Sequence, residues 1–464
     1  MATLKKASLR SIHRHSWVSL LVCWMIWILN AYDREIVLRL GPTISKNFDL
    51  SADQWGTVAT VIMLALALLD IPGSMWSDRY GGGWKRARFQ VPLVLGYTAI
   101  SFLSGFKALS GNLATFVALR VGVNLGAGWG EPVGVSNTAE WWPVERRGFA
   151  LGAHHTGYPI GAMLSGLVAS FVIGTFGEEN WRYVFFFAFV VALPLMIFWA
   201  RYSTAQRITE LYVDIAAQGM TAPDSAPPSQ VKGHALRTFI ATLRNRNIAL
   251  TAGSTLLTQV VYMGVNIALP AYLYNIAGLS LAESAGMSVV FTLTGILGQL
   301  VWPSLSDIIG RRITLIICGL WMAVSVGAFY FASTMTLIIV VQLLFGLVAN
   351  AVWPIYYAVA CDSAEPSAIS TANGIITTAM FIGGGLAPVL MGSLISMGGG
   401  WTSLHGYSVC FLVMAGCALG GALLQLFCRR PTPSSALADS HNNIDAPSGR
   451  AGGVPMSLDK RLVP

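Results

Sequence analysis

The chain has 464 residues, 54% of them hydrophobic and only 11% charged, with a mean hydropathy of +0.61. Soluble domains carry roughly 25% charged residues, so this composition excludes a soluble globular protein and points to a polytopic membrane protein. The net charge of +8 does not point to nucleic acid: with the N-terminus placed in the cytoplasm, 23 of the 29 Lys and Arg residues fall on the cytoplasmic side, which is the positive-inside rule.

A helix needs about 20 apolar residues to cross the hydrocarbon core. About twelve such stretches follow one another, near 17–40, 55–76, 91–108, 113–137, 149–173, 182–200, 248–273, 286–305, 314–332, 336–360, 370–396 and 405–428. The even number and the charge distribution predict that both termini are cytoplasmic. The basic N-terminus runs into an apolar stretch long enough to span, so no cleavable signal peptide is expected. The six Lys and Arg residues outside the cytoplasmic set are Arg34, Arg39, Lys46, Lys107, Arg120 and Arg182.

The first span ends in Asn30-Ala31-Tyr32-Asp33-Arg34-Glu35. Charge at membrane depth costs at least a few kcal/mol and persists where it faces protein or a water-filled cavity. Arg34 can hold an anion through its fork of donors, and Asp33 beside it can gain and lose a proton. The pair suggests proton-linked movement of an anionic solute; a static, helix-pinning ion pair is the alternative.

Further polar residues follow in chain order. Asp70 precedes Pro72-Gly73 near the end of the second span, either as a proton site or as a contact to the loop at Asp78. Glu131 sits in "GAGWGEPVG" of the fourth span. His154 and His155 open the fifth. They point about 100° apart, so they cannot both face one pore, and either could titrate near neutral pH. Either histidine can instead serve packing alone. No metal-ligand spacing is present among the His and Cys residues. The six cysteines read as small core residues.

Residues 201–247 form the one long polar break between spans. They divide the chain into a six-span unit, 1–200, and a second, 248–430, followed by a tail, 431–464, of Pro, Ser, Asp and Gly that reads as disordered. In the second unit Tyr262 and Asn266 share a face at i,i+4. Asn350, Trp353 and Tyr357 share another, and Asn373 lies in the eleventh span. Such groups suit hydroxyls or an aromatic ring, as do Gln259 and Gln299. Together with Tyr32 and Trp129 they allow an aromatic acid or a sugar acid. Packing is the alternative for each.

The two units repeat weakly: "PGSMWSDRYGGGWKR" after the second span and "WPSLSDIIGRR" after the eighth. This doubled loop resembles the G-x-x-x-D-R-x-G-R-R motif of the major facilitator superfamily. The first copy matches at Asp78, Arg79 and Gly81, and the second at Asp307, Gly310, Arg311 and Arg312. The resemblance covers about residues 15–430. It implies an all-α fold of twelve transmembrane helices in two pseudo-symmetric six-helix bundles. It also implies substrate bound near the midplane, cytoplasmic gating by these motif residues, and monomeric action.

Within that superfamily the N-terminal half is similar to the anion:cation symporter family. Asn30 to Arg34 parallels N-Y-x-D-R, "DIPGSMWSDRYG" parallels Q-x-P-G-G-x-L-A-D-R-x-G, "WWPVERRGFALG" parallels W-F-P-x-x-E-R-G-x-A-x-G, and "NWRYVFF" the opening of span six. The resemblance implies proton-coupled uptake of an organic carboxylate across the inner membrane, with no cofactor. Taken with the residue reading above, the candidate substrate contacts are Arg34, Tyr32, Tyr262, Asn266, Trp353, Tyr357 and Asn373, and the candidate proton-coupling groups are Asp33, Glu131, Asp70 and His155. The chain departs from the family in three places. The family's protonatable Glu position is Ala127, so Glu131, one helical turn on, takes its place. Asp70 stands where Gln is usual, and the histidine pair is additional. Efflux by antiport remains an alternative within transport, and a non-transporting sensor one outside it. No Ser/His/Asp set, metal motif or nucleotide loop supports an enzyme.

Overall fold

The computed structural model describes residues 9–223, 235–364 and 369–429. The proposed disordered tail, 431–464, and part of the central loop lie outside the described residues. So do the side chains of Asp78, Arg79 and Asp307.

Twelve long helical passages follow in order among the described residues. In the first half they are Arg14–Arg39, Ala52–Tyr80, Trp84–Ser104, Leu113–Glu140, Arg147–His155 with Gly157–Phe176, and Glu178–Tyr202. In the second half they are Arg246–Asn275, Leu281–Met287 with Phe291–Ile309, Arg311–Gly327, Met335–Ala349 with Val352–Ser363, Ile369–Met397, and Leu404–Leu426. Ten are long and apolar enough to cross a membrane by length and composition. The third and fourth are not among those ten. The third starts with Lys85, Arg86 and Arg88, and the fourth carries Arg120, Asn124 and Glu131.

Apolar side chains form the core, but many others are exposed and several charged ones are buried, unlike in a soluble protein. Leu68, Phe171, Val190, Val324 and Leu412 are more than half exposed, whereas Glu35, Arg39, Arg120 and Asn266 are at most 1% exposed. Apolar surface faces outward, and the polar side chains are gathered between helices.

Two helix breaks shape the centre. Proline's ring clashes with the carbonyl four residues back and it has no N–H to donate, so it suits the first turn of a helix. Pro159 is the third residue of Gly157–Phe176, and Pro354 the third of Val352–Ser363. Each helix is interrupted where the clash would fall, at His155-Thr156 and at Asn350-Ala351.

The two halves meet closely at the end that carries the loop between the first and second spans. There the second span lies against the eleventh. The Thr60 hydroxyl accepts from the Val389 amide at 2.9 Å, Ser396 donates to Asp53 at 3.1 Å, and the Trp401 indole donates to Leu50 O at 2.9 Å. Gly56 and Gly392 permit this approach: a Cβ on Gly56 would sit 2.5 Å from Pro388 O. The fifth span meets the eighth at the same end, where a Cβ on Gly166 would lie 2.7 Å from Ala285 O.

At the opposite end the motif glycines close helices. Gly81 (φ +108°) follows Tyr80, and Gly310 (φ +95°) separates the eighth and ninth spans. Arg311 donates to the Ser306 hydroxyl at 2.6 Å and lies 3.7 Å from Asp362, while Arg312 donates to the carbonyls of Gln425 (3.0 Å) and Leu426. In the first half, Arg86 of the displaced basic pair donates to Glu140 at 3.0 Å. The central stretch contributes an amphipathic helix, Ala205–Ala217, that buries Ile208, Leu211 and Ile215.

Within the first half, Gly161 faces the backbone of Ile28 so closely that a Cβ would collide with its carbonyl, whereas a Cβ on Gly96 would meet nothing within 4 Å. Gly161→Ala is expected to destabilise the protein by about 1–3 kcal/mol through overpacking. Gly96→Ala is expected to be neutral or to gain up to about 1 kcal/mol of helix propensity. Thermal unfolding of the two variants in detergent checks the contrast.

Candidate functional site

Trp27 and Arg34 are seven residues apart on the first span and so share a face. That face forms one wall of a central cavity of about 620 Å³, counting its opening to solvent. Glu131, His155 and Tyr158 add walls from the fourth and fifth spans. Gln259, Tyr262, Gln299, Asn350, Trp353 and Tyr357 add walls from the second half. Four of these lining residues flank the two helix breaks.

The Arg34 guanidinium donates from Nη1 to Glu131 Oε2 at 2.9 Å, with both side chains largely buried. Its Cζ lies 5.4 Å from the Tyr158 ring centroid, and 6.0 Å from those of Trp27 and Phe381. Aromatic faces at these distances stabilise a desolvated cation. Arg34 Nε has no hydrogen-bond partner among the described residues, nor have Trp27 Nε1, Gln259 Oε1 and Gln299 Oε1. Buried polar atoms are nearly always hydrogen-bonded, so this cavity wall presents unused donors and acceptors. Asp70, half-buried about two-thirds of the way along the second helical passage, lies within electrostatic reach of Glu131 and Arg34. His155 lines the cavity edge-on to Trp27 at 6.1 Å.

Several expected site residues are placed elsewhere. Asp33 is one residue from Arg34, hence about 100° around the helix. It accepts from Ser101 at 2.5 Å, inside the first half and near Arg120, rather than facing the cavity. Tyr32 is fully buried, donates to Val184 O at 2.7 Å and does not line the cavity. Asn266 is turned away to the Arg39 guanidinium. Asn373 pairs with the Cys361 thiol at 3.5 Å and is not in the cavity wall. Trp129 stacks on Trp76 at 5.2 Å, and Trp76 is 60% exposed, so that pair faces outward. His154 is buried against Thr138, 3.1 Å away, and stacks on Trp27.

Trp27, Tyr158, Glu35 and Arg39 were not among the expected site residues. Signals for the first two were present: Trp27 precedes Arg34 by two helical turns, and Tyr158 lies three residues after His155, beside Pro159. Glu35 accepts from the Tyr158 hydroxyl at 2.6 Å and from Arg39 at 3.0 Å. Among the described residues no group of three or more His, Cys, Asp or Glu could hold a metal ion.

The Major Facilitator Superfamily profile matches residues 23–287 and 251–449. The chain belongs to the Major Facilitator Superfamily. It is a multi-pass membrane transporter, not an enzyme. The transporter is 21% identical over 423 residues to a hexuronate transporter of Bacillus subtilis, covering 89% of this chain and 94% of the relative. It is 25% identical over 394 residues to the cis,cis-muconate transport protein of Acinetobacter baylyi, covering 83% and 90%. Its fold is similar to that of the inward-open xylose transporter XylE of E. coli, with a TM-score of 0.68 and 15% identity over 92% of this chain and 99% of that one.

These placements separate packing from cavity roles within one family of variants. Tyr32→Phe is expected to lose about 1 kcal/mol of stability with its hydrogen bond to Val184 and to leave solute affinity unchanged. Trp353→Ala is expected to weaken solute binding about tenfold or more by opening the cavity wall. Ligand titrations and melting curves on both proteins check this.

Proposed function

We propose that this transporter takes up a small organic carboxylate with one or more protons across the inner membrane, as a monomer with both termini cytoplasmic. Residues 1–200 and 248–430 are then the bodies that rock about the central cavity, and the closely packed end is the outer one. The observation that carries this reading is Arg34, a buried cation in the cavity wall held by one carboxylate, Glu131, and carrying an unused N–H. Similarity to carriers of hexuronate and of muconate, both carboxylates, supports the same class.

The chemistry is an exchange of partners. With no solute bound, the Glu131 carboxylate neutralises Arg34. A proton arriving at Glu131 removes that negative charge and frees the guanidinium for the solute carboxylate, so the cation is never left bare in a dry cavity. His155 and Asp70 flank this pair and are positioned to pass the proton. Asp33, with Ser101 and Arg120, forms a second buried charge cluster that can take up a further proton. Aromatic rings and carboxamides around the rest of the cavity accommodate the body of an aromatic or sugar acid.

Glu131→Gln fixes the neutral form of the side chain. In proteoliposomes it is expected to lose accumulation of glucuronate or cis,cis-muconate driven by an inward proton gradient, while exchange of labelled for unlabelled solute at equal pH persists. Accumulation at the wild-type level in this variant would remove Glu131 from the coupling.

A further inference from the structure

A further buried charge pair lies between the cavity and the closed end, and the transport scheme above does not use it. Glu35 and Arg39 are i,i+4 on the first span and are 0% and 1% exposed. Both oxygens of Glu35 are engaged: Oε1 accepts from the Tyr158 hydroxyl at 2.6 Å, and Oε2 accepts from Arg39 Nη2 at 3.0 Å. The same Nη2 donates across the half boundary to Asn266 Oδ1 on the seventh span. Asn266 is fully buried, and its Nδ2 donates to Tyr262 O at 2.9 Å, which fixes the orientation of the amide. The Phe291 ring, at the start of the continuous part of the eighth span, lies 5.8 Å from Arg39 Cζ.

We propose that the Arg39–Asn266 hydrogen bond is a breakable latch that holds the two halves together at the closed end. Arg39 is a positioning residue here and does not contact solute. The arrangement suits repeated opening. The opposite charges sit on one helix of one half, so they stay paired and move together when the halves part. What breaks is a hydrogen bond from a cation to a neutral amide, which is stronger than a bond between neutral groups. It is weaker than a buried ion pair split between halves, whose rupture would strand both charges. Tyr158, itself a cavity residue, holds Glu35 in place and so connects the latch to the cavity wall. The proposal needs only alternation between two states, not the identity or charge of the solute.

Ser170 on the fifth span reports on the closed end: a Cβ added to Gly286 of the eighth span would meet its hydroxyl oxygen at 3.0 Å. The test is the rate at which a water-soluble maleimide labels Ser170→Cys in the full-length, detergent-purified protein without solute, taken over the rate of the parent with its native cysteines. Asn266→Leu removes the acceptor and is expected to raise labelling about threefold or more. Asn266→Asp places a carboxylate opposite Arg39, creates a cross-half ion pair, and is expected to lower labelling by a similar factor. Adding Asn266→Leu to a chain already carrying Glu35→Leu and Arg39→Leu is expected to change nothing further, because partners in one interaction are not additive. Each variant is first shown to be monodisperse, and Asn266→Asp alone decides the matter where a leucine variant fails to fold. Unchanged labelling in Asn266→Asp, movement of both Asn266 variants in the same direction, or full additivity with the double replacement would overturn the latch. Because no solute is used, such a failure leaves the carboxylate reading standing, and failure of that reading leaves the latch standing.

Discussion

A guanidinium at membrane depth must be neutralised in every state the protein visits, and the centre of this molecule is arranged around that requirement. Arg34 is reached by Glu131 from the fourth span and surrounded by the rings of Trp27, Tyr158 and Phe381. The register that brings the two charges together is set by small residues and amides. The Asn30 amide donates to Ala127 O at 2.8 Å, and Gly161 lets the fifth span lie directly on the first. A pair held on two separate helices can exchange partners when one of them is protonated or when a solute anion arrives. A pair fixed on one helix, as Glu35 and Arg39 are, cannot serve in that way. In the proposed scheme the first kind of pairing serves binding and the second closure.

The prolines connect sequence to cavity shape. Pro159 and Pro354 end helical continuity at the depth of Arg34, and the residues beside the breaks, His155, Tyr158, Asn350 and Trp353, all line the cavity. An uninterrupted helix would spend these backbone groups on its own ladder and present a regular ridge. A broken one turns side chains inward around the cavity. The second and eleventh spans act in the opposite sense. Their facing glycines allow backbone contact at the closed end, where volume would be a leak.

Much of this was legible in the sequence, for identifiable reasons. Span count and order follow from hydropathy and charge, which the bilayer enforces on every segment. Arg34 stood out because its charge interrupts an apolar run, and Glu131 could be placed opposite it because four residues make about one helical turn. Asn350, Trp353 and Tyr357 share a face by their spacing, and all three line the cavity. Rotation was what the sequence left undetermined. In a polytopic bundle, polar residues face neighbouring helices on several sides, so hydropathy does not mark which polar face looks into the cavity. Chain position alone therefore puts Tyr32 and Asp33 with Arg34, although each lies on another side of the same helix. Asn266 and Asn373 look like solute contacts until their partners, Arg39 and Cys361, are seen. Arg39 itself resembled a residue at the end of a span, and only the packing of the seventh span onto the first revealed it as buried.

The most direct test of the central claim is ligand-induced stabilisation of the purified protein, measured across sugar acids, aromatic acids, dicarboxylates, neutral sugars and organic cations, with Arg34→Ala beside the wild type. A ligand that binds the native state raises the melting temperature as its concentration exceeds the dissociation constant. The account predicts stabilisation of the wild type by one or more carboxylates and its loss in Arg34→Ala. Stabilisation by neutral or cationic compounds alone, equal in both proteins, would contradict it.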